Sequence, residues 1–274
     1  MKLQLLGTAA FEGIPSLFCT CDLCKKAIQL GGKNIRSRTS AMIDNELKID
    51  FPPDSLHHMH RFGLNYEQVK DILFTHSHSD HLYAEDLAAR LPGYGKSLDH
   101  TLQLYGNDLV LSKCMHILAV NGGLQQKFQL NRLQPFVRTK LQTASIVPLP
   151  ASHDPLETCF IFYIEKEGKA ILYGHDSGDF PSDVWEWLEQ EALPLDLVVL
   201  ECTMGYNHYR LTHMNVDAVL ETVAKLRLEQ LLKQNAPVIV THFSHNAQLL
   251  HEDLEAIFER HGITTAYDGL IVEI

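Results

Sequence analysis

The sequence predicts an α/β (α+β) chain in which two mixed sheets pack together with helices on the outside. Two observations predict this arrangement. The opening is rich in short apolar runs of strand length, and the C-terminal part alternates helical and strand patterns. A third bounds it: 274 residues suffice for one large unit, and no low-complexity tract, charge block or Pro/Gly/Ser linker divides them. A single domain over 1–274 is therefore expected.

Taken in order, strand patterns cover Leu3–Gly7, Ser40–Ile43 and Leu47–Phe51, with Asp44-Asn45-Glu46 as the turn between the last two. Further strands are expected at Asp71–Thr75, Thr101–Tyr105, Ala144–Pro148, Thr158–Glu165 and Lys169–Gly174, the last two joined as a hairpin around Glu165-Lys166-Glu167-Gly168. Asp196–Glu201, Val238–His242, Thr264–Tyr267 and Leu270–Glu273 complete the set. Helical patterns fit Ala84–Arg90, Asp108–Val120, Ser182–Ala192, Asn215–Leu232 and Gln248–His261. In the fourth of these, Val216, Val219, Leu220, Val223 and Leu226 recur at helical spacing, and Asn215 or Thr212 is placed to cap it.

Composition narrows the function. A hydrophobic share of 45% with 21% charged residues is that of an ordinary globular chain. The formal net charge of −11 argues against gripping an extended nucleic acid, which needs a Lys/Arg surface. No apolar run approaches a membrane span, and Gln4, Gly7, Thr8 and Glu12 interrupt any export signal at the start, so a cytoplasmic location is expected. The uncommon count is histidine, 16 against 6 cysteines. Imidazole is both a metal ligand and a general acid or base.

The strongest signal is Phe74-Thr75-His76-Ser77-His78-Ser79-Asp80-His81, where an apolar strand runs into three His and one Asp. Imidazole with carboxylate suits Zn, Mn or Fe. His76 and His78 alternate and can share one side of an extended segment, while Asp80 and His81 reach a second point. That spacing suits two metals sharing a hydroxide nucleophile. Such a centre needs more ligands. His153, Asp176 and His242 each follow a predicted strand, where a rigid sheet would hold them, and His175 competes with Asp176 or supports it from behind.

This pattern resembles the metallo-β-lactamase superfamily over essentially the whole chain. The resemblance implies an αββα sandwich with a dinuclear site at one edge of the sheets. It implies that His76, His78 and His153 hold the first metal, that Asp80, His81 and His242 hold the second, and that Asp176 bridges them. The redox-active diiron branch has Glu where this chain has His78, so the resemblance favours a hydrolase. Asp50 matches the superfamily's early Asp, which orients the ligand loop, although Phe51-Pro52-Pro53 replaces the usual following Gly.

Cys19-Thr20-Cys21-Asp22-Leu23-Cys24 offers three thiolates, and in a reducing compartment this suggests metal over disulfide. His245, three residues beyond His242, is the candidate fourth ligand of a structural Cys3His zinc; three free thiols in a loop are the plain alternative. Cys114, Cys159 and Cys202 read as small core residues. Both separated motifs, Cys-x-Cys-x2-Cys and Thr-His-x2-His, resemble the PhnP-like phosphodiesterase branch, with the coenzyme-PQQ synthesis proteins nearby.

His213 precedes the predicted helix from Asn215. In the phosphodiesterase branches a His at this place assists the leaving group or contacts the phosphate, which makes Asp80 and His213 the candidate catalytic residues. His57, His58 and His60 read as a solvated loop or as neighbours of a substrate mouth. The expectation is a metal-dependent hydrolase using two divalent ions on a small or cyclic phosphodiester. A lactonase or thioester hydrolase, a tRNA-processing nuclease and a non-catalytic carrier of the PQQ-synthesis type are the alternatives. Specificity is expected to lie in loops such as Phe51–Phe62 and Leu91–His100. Oligomeric state is open, a homodimer included.

Overall fold

Alternating burial along the strands sorts the apolar side chains into three separate layers. The computed structural model describes residues 1–96, 100–120 and 127–274. Its first sheet holds β1 (Lys2–Gly7), β2 (Ser40–Ile43), β3 (Leu47–Ile49), β4 (Asp71–Leu73), β5 (Leu102–Gly106) and β6 (Phe128–Arg132) side by side, with the C-terminal β14 (Ile271–Glu273) on the outer edge of β1. The second runs in the order β13 (Ile263–Thr265), β12 (Val238–Thr241), β11 (Leu197–Glu201), β10 (Lys169–Gly174), β9 (Phe160–Lys166), β8 (Ser145–Pro150) and β7 (Thr139–Lys140). Both sheets are mixed: β3 to β6 and β10 to β13 pair in parallel, the remaining neighbours antiparallel.

The period of two along a strand sends successive side chains to opposite faces. In β10, Ile171 and Tyr173 join Leu3, Leu5, Ile43, Ile49 and Leu73 of the first sheet in the layer between the sheets. Ala170 and Leu172 point the other way, onto α1 (Asp22–Leu30), α4 (Ser182–Glu191), α5 (Val216–Leu228) and α6 (His251–Phe258). On the opposite outside, Met42, Ile72 and Leu104 meet α3 (Asp108–Val120) and the 3-10 turn Ala84–Arg90. Helix, sheet, sheet, helix is thus the layer order, as expected.

β10 ends at Gly174 as expected, whereas β3 and β12 stop two residues and one residue short of their expected ends. Asp50, Asp176 and His242 each lie just beyond a strand and take left-handed backbone, with φ of 58°, 47° and 56°. Such residues leave the extended ladder, and non-glycine positions pay strain for it. The chain turns there, at the sheet edge where the candidate ligands gather. The segment Ala84–Arg90 is a 3-10 turn rather than an α-helix, the fourth expected helix ends at Leu228, and the last begins at His251.

The structure adds elements whose sequences carry no clear apolar pattern. α1 lies in the cysteine segment, burying Leu23, Cys24 and Ala27. α2 (Ser55–Phe62) replaces the expected solvated loop around His57, His58 and His60; His58 is buried, with Nε2 at 2.8 Å from Ser37 Oγ. β6 buries only Phe128 fully, and β7 is two residues long. Part of the expected specificity loop Leu91–His100, residues 97–99, lies outside the described residues. No helix among the described residues is long and apolar enough to cross a membrane.

Candidate metal centre

Four strand ends deliver the site. His76, His78, Asp80 and His81 follow β4, His153 follows β8, Asp176 follows β10 and His242 follows β12. They converge on a cleft of about 540 Å³ whose lining includes His78, Asp80, His153, Asp176, His213 and His242.

One group is His76, His78 and His153. Nδ1 of His78 and Nε2 of His153 face each other at 3.2 Å. Their other ring nitrogens are engaged: His78 Nε2 lies 3.0 Å from Asp154 Oδ2, and His153 Nδ1 3.1 Å from the Thr212 carbonyl. Those acceptors take the ring protons, so two lone pairs point at one spot. Tetrahedral zinc with Zn–N of about 2.0–2.1 Å sets neighbouring nitrogens about 3.3–3.4 Å apart, close to what is seen.

The second group gathers His81, His175, Asp176 and His242, with Asp80 beside them. Asp50 is fully buried; its carboxylate accepts from the Thr75 backbone N–H at 2.9 Å and from His81 Nδ1 at 2.7 Å. This fixes the His81 tautomer, leaving Nε2 as a lone pair 2.6 Å from Asp176 Oδ2 and 3.3 Å from Asp80 Oδ2. Thr203 does the same for His242: its hydroxyl donates to the His242 carbonyl at 2.9 Å and accepts from Nδ1 at 2.7 Å.

Buried polar atoms are normally hydrogen-bonded. Yet Nε2 of His76, His81 and His242 are buried and make no hydrogen bond. Lone pairs facing carboxylate oxygens at such distances repel unless a proton or a metal cation lies between them. The donor set, neutral imidazoles with two carboxylates, fits divalent metal ions. Asp176 stands between the groups, with Oδ2 3.6 Å from His76 Nε2 and 2.6 Å from His81 Nε2.

The buried carboxylates of this group call for positive charge beside them, which a protonated ring or a bound cation can supply. Burial pushes the Asp80 and Asp176 carboxyls up, but the neighbouring His81 and His242 outweigh it and hold both well below the usual carboxylate range. Burial also opposes charge on His81, whose Asp80, Asp176 and Asp50 neighbours raise it well above an ordinary imidazole. His76 has no such surplus of carboxylates, and burial keeps it well below its ordinary value.

His213 enters the same cleft, its ring 4.8 Å from that of His153 and stacked at 5.8 Å on that of His242. Asn215 caps α5 by accepting from the Ala218 N–H at 2.8 Å, which places His213 just ahead of the helix. Its Nδ1 lies 2.7 Å from Oε1 of the buried Glu201. Burial works against the charged ring, but Glu201 prevails and raises it to about 9.

A separate cluster joins Cys19, Cys21, Cys24 and His245. The three Sγ atoms lie 3.5, 3.6 and 3.6 Å from His245 Nδ1. A tetrahedral ion with Zn–S of about 2.3 Å and Zn–N of about 2.0–2.1 Å requires S···N edges of about 3.5–3.6 Å. His245, with the Cys24 N–H, lowers the Cys21 thiol to about 6, which favours the ligating thiolate.

Every candidate site residue from the sequence thus falls in one of these places. His175 joins the second group from behind, Nε2 at 2.9 Å from Thr39 Oγ1 and its ring stacked on Tyr173. His57, His58 and His60 belong to no ligand group among the described residues. Sequence reasoning missed Glu201, Thr203 and Asp154. For Glu201 a signal existed: a lone carboxylate closing the apolar run Leu197-Val198-Val199-Leu200.

Fold and site together define a metal-dependent hydrolase class. The chain belongs to the metallo-β-lactamase superfamily: residues 49–243 match the model of the beta-lactamase superfamily domain. Among solved structures it is similar to a diphosphatase of the PhnP family, at 24% identity and a TM-score of 0.76 over 100% of this chain and 97% of that one. It is also similar to Zn²⁺-bound PqqB from Methylobacterium extorquens (15%, TM-score 0.76, 100% of both chains) and to the short form of human tRNase Z (16%, TM-score 0.70, 100% and 99%). At these identities the likeness is one of fold. An octanoyltransferase of Porphyromonas gingivalis is 24% identical over 282 residues, which take in 98% of this chain. The chain spans about half, 51%, of that protein's length.

Proposed function

We propose that this chain is a phosphodiesterase that hydrolyses a small or cyclic phosphodiester at a dinuclear metal centre. The observation carrying this reading is the placement of Asp176 between two ligand groups, with His213 on the open side of the same cleft. His76, His78 and His153 would hold one ion, Asp80, His81 and His242 the other, and Asp176 both. Two divalent cations, Zn or Mn with Fe as a third choice, acidify water into a nucleophile and offset phosphoryl charge when bound.

The chain's own residues then set orientation and proton traffic. Asp50, Thr203 and Asp154 hold the imidazoles so that their lone pairs face inward. Glu201 keeps His213 protonated at neutral pH, ready to give its proton to the departing alkoxide oxygen. The net charge of −11 argues against an extended nucleic acid, whose phosphates need a Lys/Arg surface.

Cys19, Cys21, Cys24 and His245 would hold a structural zinc outside this chemistry, tying the N-terminal segment to the loop after β12.

The test uses purified protein loaded with Mn or Zn, assayed on bis(p-nitrophenyl) phosphate and on cyclic phosphodiesters. Hydrolysis of both is expected, with loss of at least about a hundredfold in Asp80→Ala while the circular dichroism spectrum is kept. Undiminished activity in Asp80→Ala, or hydrolysis of lactones and thioesters alone, overturns the assignment.

A further inference from the structure

A second cavity lies on the other face of the first sheet. It measures about 340 Å³, inside the roughly 300–1,000 Å³ range of small-molecule sites, and carbon lines nearly all of it. Phe51, Tyr66, Ile72, Leu87 and Phe128 form its walls, and at its floor stands Lys48 of β3.

Lys48 does not fit a merely structural role. Its residue is fully buried, because Leu47 and Ile49 turn inward and the alternation directs Lys48 to the outer face, beneath α2 and the 3-10 turn. An ammonium has three N–H donors. One is met by Ser40 Oγ at 2.6 Å, a hydroxyl whose single proton is shared between the carbonyls of Ile49 and Asp50. Among the described residues no carboxylate pairs with the amine. The rings of Tyr66 and Phe51 stand 5.2 and 5.6 Å away. Burial pushes the amine down to about 7, with Asp50 opposing in part. The two ring faces offset part of the cost of holding this amine in carbon surroundings, and an acceptor reaching its remaining N–H groups would offset more.

The acidic side chains on the cavity wall do not meet that need: Glu67 is exposed, and Asp86 lies on the 3-10 turn. Arg90, also on the wall, gives one N–H to the His100 carbonyl, while its buried Nε has no partner. Leu56, 56% exposed, extends the apolar lining outward.

We infer that this cavity binds a medium-chain carboxylate amphiphile, its head accepting hydrogen bonds from Lys48 and its alkyl chain lying along Ile72, Leu87 and Phe128. A carboxylate supplies the counter-charge and the missing acceptors together, and the apolar walls take up methylenes. The site is independent of the metal centre, and so is its test.

The metal-loaded 274-residue chain is titrated calorimetrically with decanoate and, as an uncharged counterpart, decanol. Decanoate is expected to bind at least about tenfold more tightly, and Lys48→Met to remove that preference while leaving decanol within about twofold. Leu87→Trp, which fills the cavity, should abolish binding of both. Asp80→Ala should keep both, which separates this site from carboxylate capture by the metals. No saturable decanoate binding, an unchanged preference in Lys48→Met, or loss in Asp80→Ala with retention in Leu87→Trp overturns the inference. Where Lys48→Met does not fold, Leu87→Trp and Asp80→Ala still tell the cavity from the metal centre.

Discussion

Glu201 Oε1 stands 2.7 Å from His213 Nδ1, a buried carboxylate holding an imidazole that is partly open to the cleft. A general acid matters most when the leaving group is a poor one. His213→Ala should therefore lower kcat on an alkyl or cyclic phosphodiester by about 10²–10⁴-fold, and on a p-nitrophenyl ester by much less. Glu201→Gln should lose part of the same selectivity. Comparing kcat across leaving groups checks this, since a purely structural role would depress all esters equally.

Asp50 reaches His81 and Thr75 without facing the cleft. Asp50→Asn keeps the volume but presents an amide to His81 Nδ1 and frees the ring's orientation. Metal affinity should fall about 10–100-fold, as measured by competition with a chelator, with the fold retained.

Replacing Cys21 by Ser removes one thiolate from the Cys/His cluster. Metal analysis of reduced, metal-replete protein should fall from three ions per chain to two. Thermal unfolding should come earlier by about 5–10 °C, since one kcal/mol is worth roughly 2–4 °C in a chain of this size class. Two ions in the unaltered protein would contradict the cluster's role.

Asp196 receives Lys233 at 2.8 Å, Lys169 at 3.2 Å and the Ala170 N–H at 3.0 Å. Burial pushes its carboxyl up, but these donors outweigh it, so its folded-state pKa lies below the ordinary value. Its stabilisation is then complete above an ordinary carboxylate pKa of about 3.9 and is lost as pH falls through the folded value. Asp196→Asn should cost about 1–2 kcal/mol at pH 7, and urea melts at pH 3 should show a smaller difference from the parent.

The candidate metal ligands were legible because they are concentrated and unusual. His76, His78, Asp80 and His81 crowd one strand end, and the partners His153, Asp176 and His242 each follow an apolar run. The two central sheets were legible through their apolar strands. What escaped has a physical reason in each case. α2 has a helix face built partly from His58 and Ser55, so no apolar stripe marks it. β6 and β7 are edge strands with few buried residues. Asp154 and Thr203 act through hydrogen bonds across the fold that no local spacing encodes. Nothing in the sequence marks Lys48 as buried, and the packing of α2 and the 3-10 turn over it puts it inside.

The Cys/His cluster also bears on how the chain reaches its native state. Cys19 and His245 lie 226 positions apart, so an ion shared between them closes nearly the whole polypeptide into a ring. The entropy of such closure grows with the logarithm of ring size, and the unfolded ensemble bears it. During synthesis the N-terminal thiols emerge long before their imidazole partner. An ion held there would therefore close the ring late, once both sheets had brought the two segments together, and would act as a lock on the finished topology.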